Sequence, residues 1–186
     1  MDVGVLAVRY AKALLDYALE KGVEEEVYSQ MGLLLECLKQ NPALTRTLED
    51  PLLSRQDKLS LLSSTLTGTA AANDAVQRFY NIIIENRREN YLRASALNYQ
   101  TLYREKKNIA VVKITTAIPL SKEMEEKIIS KTSSVLGKKI ELYKCVNPSI
   151  EGGFIIDVDD FRMDASIANK LRQIRQQLLD KNRRIV

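Results

Sequence analysis

No histidine and no tryptophan occur in these 186 residues, and cysteine appears only twice. Without histidine the chain lacks the commonest general base near neutral pH and the commonest metal ligand. Cys37 and Cys145 stand far apart and outside any C-x-x-C spacing, so neither a zinc motif nor a disulfide framework is indicated. Both read as small buried apolar residues in a reducing compartment. No apolar run approaches the ~20 residues that a membrane-spanning helix needs, so no direct membrane insertion is expected. Neither a secretory signal nor an arginine-rich transit peptide is expected, because Met1-Asp2 runs almost directly into a helical pattern.

The chain does hold enough apolar material for a core: 45% of its residues are hydrophobic, over a length that suits one largish domain or two small ones. The net charge of +4 is mildly basic. That permits acidic partners without demanding them, and it falls short of the excess carried by dedicated nucleic-acid binders, so no nucleic-acid partner is expected. Chemistry is poorly represented. No serine or lysine sits in a nucleophile motif. Gly152-Gly153 lacks both the G-x-G-x-x-G pattern and the G-K-[ST] ending of phosphate loops, and reads as a strand entry with close backbone packing. Asp157, Asp159, Asp160 and Asp164 lack the glycine and distal glutamate of a calcium loop, and read as a hairpin turn and a helix cap. No catalytic, cofactor-binding or metal residue is assigned, and no small-molecule substrate is expected.

Helical periodicity dominates the first hundred residues. Val5 to Lys21 forms the first helix, with Gly22 at its end. Its polar residues Arg9, Lys12, Asp16 and Glu20 fall on one stripe and almost everything else is apolar. A helix this apolar buries more than one side, either as a central bundle helix or with one face left to a partner. Val23 to Lys39 forms the second, with Glu24, Glu25 and Glu26 favourably placed in its first turn. Asn41-Pro42 opens a short third as a cap and an N1 proline, which closes at Asp50-Pro51. Ser54 caps a fourth, and Thr67-Gly68-Thr69 breaks it. A fifth, from about Asn73 to Asn86, is again apolar on more than one stripe (Val76, Phe79, Tyr80, Ile82, Ile83, Ile84). The sixth runs from Glu89 to about Lys106, with Leu92, Ala96, Tyr99 and Tyr103 inward.

The period then changes. After the polar run Glu105 to Asn108, Ile109 to Ala117 alternates as a strand. Ser121 opens a helix to about Leu136, with Met124, Ile128, Val135 and Leu136 inward and Gly137 as its stop. Ile140 to Val146 reads as a second strand, Phe154 to Val158 as a third, and Phe161 to Asp164 as a short fourth. Asp159-Asp160 makes the turn between the last two. Asp164 and Ser166 cap a terminal helix with apolar positions at Ile167, Leu171, Ile174 and Leu178. The expected fold is an all-α six-helix N-terminal bundle over residues 1–106, followed by a small α+β domain over residues 107–186. At about 80 residues the second domain is marginal alone, which suits one that docks on something.

Several segments together resemble the delta subunit of bacterial F-type ATP synthases, the family of the oligomycin-sensitivity-conferring protein. They are Gly152-Gly-Phe-Ile-Ile156, Asp164-x-Ser166, the helix Lys170-Leu-Arg-x-Ile-Arg-x-Gln-Leu178, Arg9-Tyr-Ala-Lys-Ala-Leu14 and Ile84-Glu-Asn-Arg-Arg88. The family often carries glycine where this chain has Arg87 and Ala165. The resemblance implies a non-catalytic connector that ties the catalytic head to the peripheral stalk, holding the head still so that rotor torque and ion flow couple to ATP synthesis. It implies a peripheral location on the cytoplasmic face of the bacterial inner membrane.

Two interfaces follow from the same resemblance. The N-terminal helix of an alpha subunit is expected in a groove between the first and fifth helices, on Tyr10, Ala13, Leu14, Tyr17, Phe79, Ile82 and Ile83. The b subunits of the stalk are expected on the second domain, at Gly152, Gly153, Phe154, Leu171, Ile174 and Leu178. The terminal helix is basic (Lys170, Arg172, Arg175, Lys181, Arg183, Arg184) but has no aromatic residue on which a base could stack. It therefore reads as a solvated face or a surface for an acidic helix. The alternative from another class is a small basic helical RNA-binding module or a generic scaffold. RNA held through several phosphates would be released steeply by salt, and capture of an apolar helix far less.

Overall fold

The chain divides into two units, Met1–Lys107 and Asn108–Val186. The structure, a computed structural model, describes residues 3–66, 73–158 and 161–183. The expected break at Thr67-Gly68-Thr69 and the turn at Asp159-Asp160 lie outside the described residues.

The first unit is helical: α1 (Val3–Lys21), α2 (Glu24–Gln40), α3 (Pro42–Glu49), α4 (Arg55–Ser64), α5 (Asp74–Glu85) and α6 (Leu92–Lys107), with one 3₁₀ turn at Glu89–Tyr91 leading into α6. Local chemistry sets most ends. Gly22 adopts φ 67° after α1, and the amides of Gly22 and Val23 return to the carbonyls of Leu19 and Ala18, which satisfies the last turn. Ser54 accepts the Asp57 amide and Asn73 the Ala75 amide, each covering an otherwise orphan donor of a first turn. Asn41 departs from expectation. Its side chain does not cap α3 but turns back to donate to the Cys37 carbonyl at 3.2 Å, closing α2 instead.

Helix α1 packs along α6, and α2 packs on α6 as well. Ala7, Ala11, Ala18 and Ala96 are completely buried, small side chains that let two helix backbones come close. Around them lie Val27, Met31, Leu34, Leu62, Val76, Tyr80, Ile83 and Tyr99. Tyr99 donates to the Glu24 carbonyl at 3.1 Å, and the Tyr28 and Tyr103 rings stack with centroids 4.3 Å apart.

The second unit contains β1 (Ile109–Thr116), α7 (Lys122–Leu136), β2 (Lys139–Val146), a 3₁₀ turn at Pro148–Ile150, β3 (Phe154–Val158), β4 (Phe161–Asp164) and α8 (Ile167–Arg183). The sheet order is β2-β1-β3-β4. Strands β1 and β2 run parallel, with Ile109 opposite Lys139. A parallel pair needs a crossover, which α7 supplies. Strand β3 lies antiparallel to β1, with Ile114 opposite Ile156, and β4 folds back on β3. On β1 the alternation is realised: Ala110, Val112, Ile114 and Thr116 are buried on one face. The molecule is thus mostly helical, with a small four-stranded sheet towards its C-terminal end.

Two expectations fail, one in this unit and one that spans both. No residue of α7 is buried, and Val135 is 83% exposed. Its apolar positions meet too little neighbouring structure to be covered. Cys145 is exposed on β2, and Cys37 is half-buried on α2, so neither is a core residue.

Candidate functional site

In the helical unit, α1 and α5 are adjacent and antiparallel, as two cross-links show. Near the C-terminal end of α1, the Tyr17 hydroxyl donates to Asp74 Oδ2 at 3.3 Å, and the Arg78 guanidinium lies 5.4 Å from the Tyr17 ring centroid. Asp74 also holds Arg78 at 2.8 Å. Near the N-terminal end, Arg88 donates to the Tyr10 hydroxyl at 2.7 Å and sits 5.8 Å from that ring's centroid. Each tyrosine is therefore held by a hydrogen bond at its rim and a cation against its ring.

Arg88 is carried there by the turn that ends α5. The Arg88 and Arg87 amides return to the carbonyls of Ile83 and Ile84, at 2.9 and 3.0 Å. That pattern requires a left-handed residue at Arg87, and Arg87 has φ 53°. A side chain is strained in that conformation and glycine is not. The position where the resemblance led one to expect glycine is thus one where glycine would fit the backbone better.

The residues picked out on these helices separate into two layers. Leu14, Phe79 and Ile83 are 5%, 4% and 0% exposed. They are packed into the unit's own core, beneath its surface. Tyr10 and Tyr17 are half-buried, Ala13 is exposed, and Ile82 is 46% exposed. These four offer an apolar face with two pinned rings. Spacing cannot make this division, since Ile82 and Ile83 are neighbours in one apolar run and only packing decides which points out. Arg78 and Arg88, which hold the rings, were given no role from sequence. Arg88 stood inside a segment quoted for its resemblance, but its reach to Tyr10 spans 78 positions and leaves no local trace.

In the second unit, the double glycine is a packing device. Gly153 has φ 74°, and a Cβ on it would collide with the Ala165 carbonyl. A Cβ on Gly152 would lie 2.7 Å from Ile167 Cδ1. The Ala165 amide donates to Phe154 O and the Ile167 amide to Gly152 O, both at 3.0 Å. The start of α8 is thereby laid against the start of β3. Buried Ser166 caps α8 by accepting the Asn169 amide, and Asp164 accepts the Ser166 amide at 3.0 Å. Hydrogen bonding from the Ser166 side chain, and then from its amide, holds the Asp164 carboxyl below its usual range.

Of the other expected stalk residues, Phe154, Leu171 and Ile174 are exposed, and the Leu178 side chain lies outside the described residues. A strongly apolar cleft of about 650 Å³ opens between β1, β3 and the start of α7. Ile114, Ile118, Leu120, Met124, Phe154 and Ile156 are among its walls. Except for Gly152, Gly153 and Phe154, its walls went unread in the sequence because they come from separate elements. Among the described residues no group of histidine, cysteine, aspartate or glutamate could hold a metal ion, and no helix is long and apolar enough to cross a membrane.

Comparison with known proteins adds the following. The family described as ATP synthase delta (OSCP) subunit matches residues 6–178. ATP synthase subunit delta of Bacteroides thetaiotaomicron is 45% identical over 186 residues, covering 100% of both chains. That of Bacteroides fragilis is 41% identical over the same span. That of Desulfitobacterium hafniense is 33% identical over 175 residues, 94% of this chain and 97% of the relative. Among solved structures, a chain in the Toxoplasma gondii mitochondrial ATP synthase hexamer aligns with a TM-score of 0.66 at 25% identity, covering 94% of this chain and 97% of that one.

Proposed function

This chain belongs to the ATP synthase delta (OSCP) subunit family, and from that premise we propose which partners its two units meet. As a delta/OSCP subunit it is a structural, non-catalytic part of the F-type ATP synthase complex, in keeping with a connector role in the stator and peripheral stalk. Its work is mechanical: two folded units and two interfaces carry load without slipping, so that the torque of the rotor is not lost. It works at the cytoplasmic face of the bacterial inner membrane, held there by the complex and not by insertion.

The helical unit, its six helices acting as one bundle, receives the N-terminal helix of an alpha subunit along the α1–α5 face. The observation that carries this is a face that joins exposed Ala13 and Ile82 to half-buried Tyr10 and Tyr17, whose rings are already pinned by arginines. Rings held before binding lose less freedom on association. Buried Leu14, Phe79 and Ile83 form the firm support beneath. The second unit meets the b subunits of the stalk through the open apolar stripe of α8 at Leu171 and Ile174, together with Phe154. Gly152 and Gly153 serve that surface by seating α8, not by touching the partner.

Calorimetric titration with a peptide copying the alpha N-terminus of the same organism tests the first interface. One-to-one binding with a negative heat-capacity change is expected. Lack of binding to the folded protein would remove the groove from this reading.

A further inference from the structure

Among the described residues, two cations bordering the α1–α5 face have no acidic partner. Lys21, at the end of α1, lies 5.8 Å from the Tyr17 ring centroid. It borders a depression of about 410 Å³ shared with Tyr17, Asn73, Asp74 and Arg78. Arg88, at the other end, bonds only a neutral hydroxyl, that of Tyr10. Asp74, which itself lines the depression, and the two carboxylates nearest Arg88 in sequence are already paired with other cations. Asp74 holds Arg78 at 2.8 Å, Glu89 takes Lys58 at 2.7 Å, and Glu85 faces Arg55 at 3.9 Å. Between the two cations lie the Tyr10 and Tyr17 rings, Ala13 and Ile82, with the Asp74–Arg78 ion pair beside Tyr17.

Charge and geometry together specify an occupant. From Tyr10 to Lys21 the helix rises about 16 Å, roughly three turns. We infer that this face takes an acidic amphipathic helix of about three turns, with an apolar stripe against Tyr10, Ala13, Tyr17 and Ile82 and a carboxylate near each end, one meeting Lys21 and the other Arg88. The inference rests on the groove reading above and adds the partner's charge pattern. An apolar face alone accepts many helices. Two fixed cations three turns apart set the register of the bound helix and reject a basic one.

The test uses the full chain and two peptides: the alpha N-terminal copy, and the same peptide with every Asp and Glu changed to Asn and Gln. In about 0.05 M salt the amide peptide is expected to bind roughly five- to twenty-fold more weakly, and the difference should shrink to about two-fold in 0.5 M salt. Lys21→Gln should remove part of the discrimination, with an unchanged melting temperature because Lys21 is exposed. Arg88→Lys keeps the charge and should retain its share, whereas Arg88→Gln should lose it. Equal affinity of the two peptides, or a natural alpha segment without acidic residues, overturns the inference while leaving the groove in place. Failure of both peptides to bind overturns the groove reading and this inference with it.

Discussion

Lys58 on α4 reaches Glu89, at the entry to α6, with Nζ 2.7 Å from Oε1 and both side chains nearly buried, at 7% and 11% exposure. The pair ties α4 to the turn that follows Arg88, and so braces the end of the docking face. Removing one partner leaves a buried charge uncompensated, at a cost of about 3–5 kcal/mol. Glu89→Ala and Lys58→Ala should each lower the unfolding free energy from urea melts by that amount, and Lys58→Met with Glu89→Leu should recover most of the loss. Small effects from both single changes would mean that water reaches the pair.

Tyr10 faces outward enough to be changed without loss of fold. Tyr10→Asp should weaken the alpha peptide at least ten-fold by calorimetry, with a melting temperature within a few degrees of the parent. Unchanged binding would take Tyr10 out of the interface. Tyr10→Phe should weaken it only a few-fold, because the ring stays and only the Arg88 hydrogen bond is lost.

Arg87 is held at φ 53° by the turn after α5. Arg87→Gly removes the strain and should stabilise the helical unit by about 0.5–1 kcal/mol, net of the added freedom of the unfolded chain. A denaturant melt that shows destabilisation would mean that the Arg87 side chain makes a contact outweighing its backbone strain.

Gly153→Ala should be the more damaging change at the double glycine. Its Cβ meets backbone, the Ala165 carbonyl, whereas the Cβ of Gly152→Ala meets the flexible tip of Ile167. About 2–3 kcal/mol is expected for Gly153→Ala and less for Gly152→Ala, read by melts of the full chain. Binding of the alpha peptide should be untouched. In the same chain, Leu171→Asp should abolish binding of b subunits without affecting that peptide.

Stability should fall at both ends of the pH scale. The hydrogen bond from Lys107, 2.7 Å long, holds the Glu24 carboxyl below its usual 4.5, and Ser166 holds Asp164 below its usual 3.8. Their contributions are present above those values and are lost as pH falls through the lowered ones. At the alkaline end, burial pushes the Tyr80 and Tyr99 hydroxyls up from the usual 10. They stay protonated in the fold while the unfolded chain ionises, so stability drops as pH rises past about 10. Glu24 in turn raises Lys107 above its usual 10.5, and its share is also lost on the alkaline side. Melts from pH 3 to 12 should show a plateau between those limits. Tyr80→Phe should soften only the alkaline edge.

Features that depend on near neighbours along the chain were legible in the residues alone. Ser54, Asn73 and Ser121 cap helices because a short oxygen there reaches the amide two or three positions on. Gly22 and Gly137 end helices because the turn demands positive φ. The β1 alternation marks a strand because a pleat turns successive side chains to opposite faces. Equally local signals can be outvoted, as when Asn41 capped the helix behind it and not the one ahead.

The sequence by itself determined where helices and strands form, what chemistry is missing, and, through its likeness to a family, the complex to which the chain belongs. Only the tertiary structure decided which apolar residues form core and which form surface. It buried Leu14, Phe79 and Ile83 and left Ala13 and Ile82 open, it brought Arg88 to Tyr10, and it laid Gly153 against Ala165. The reason is physical. Caps and periods arise from backbone groups a few residues apart, whereas burial and cation–ring pairs depend on which segments, dozens of positions apart, come to share the same space.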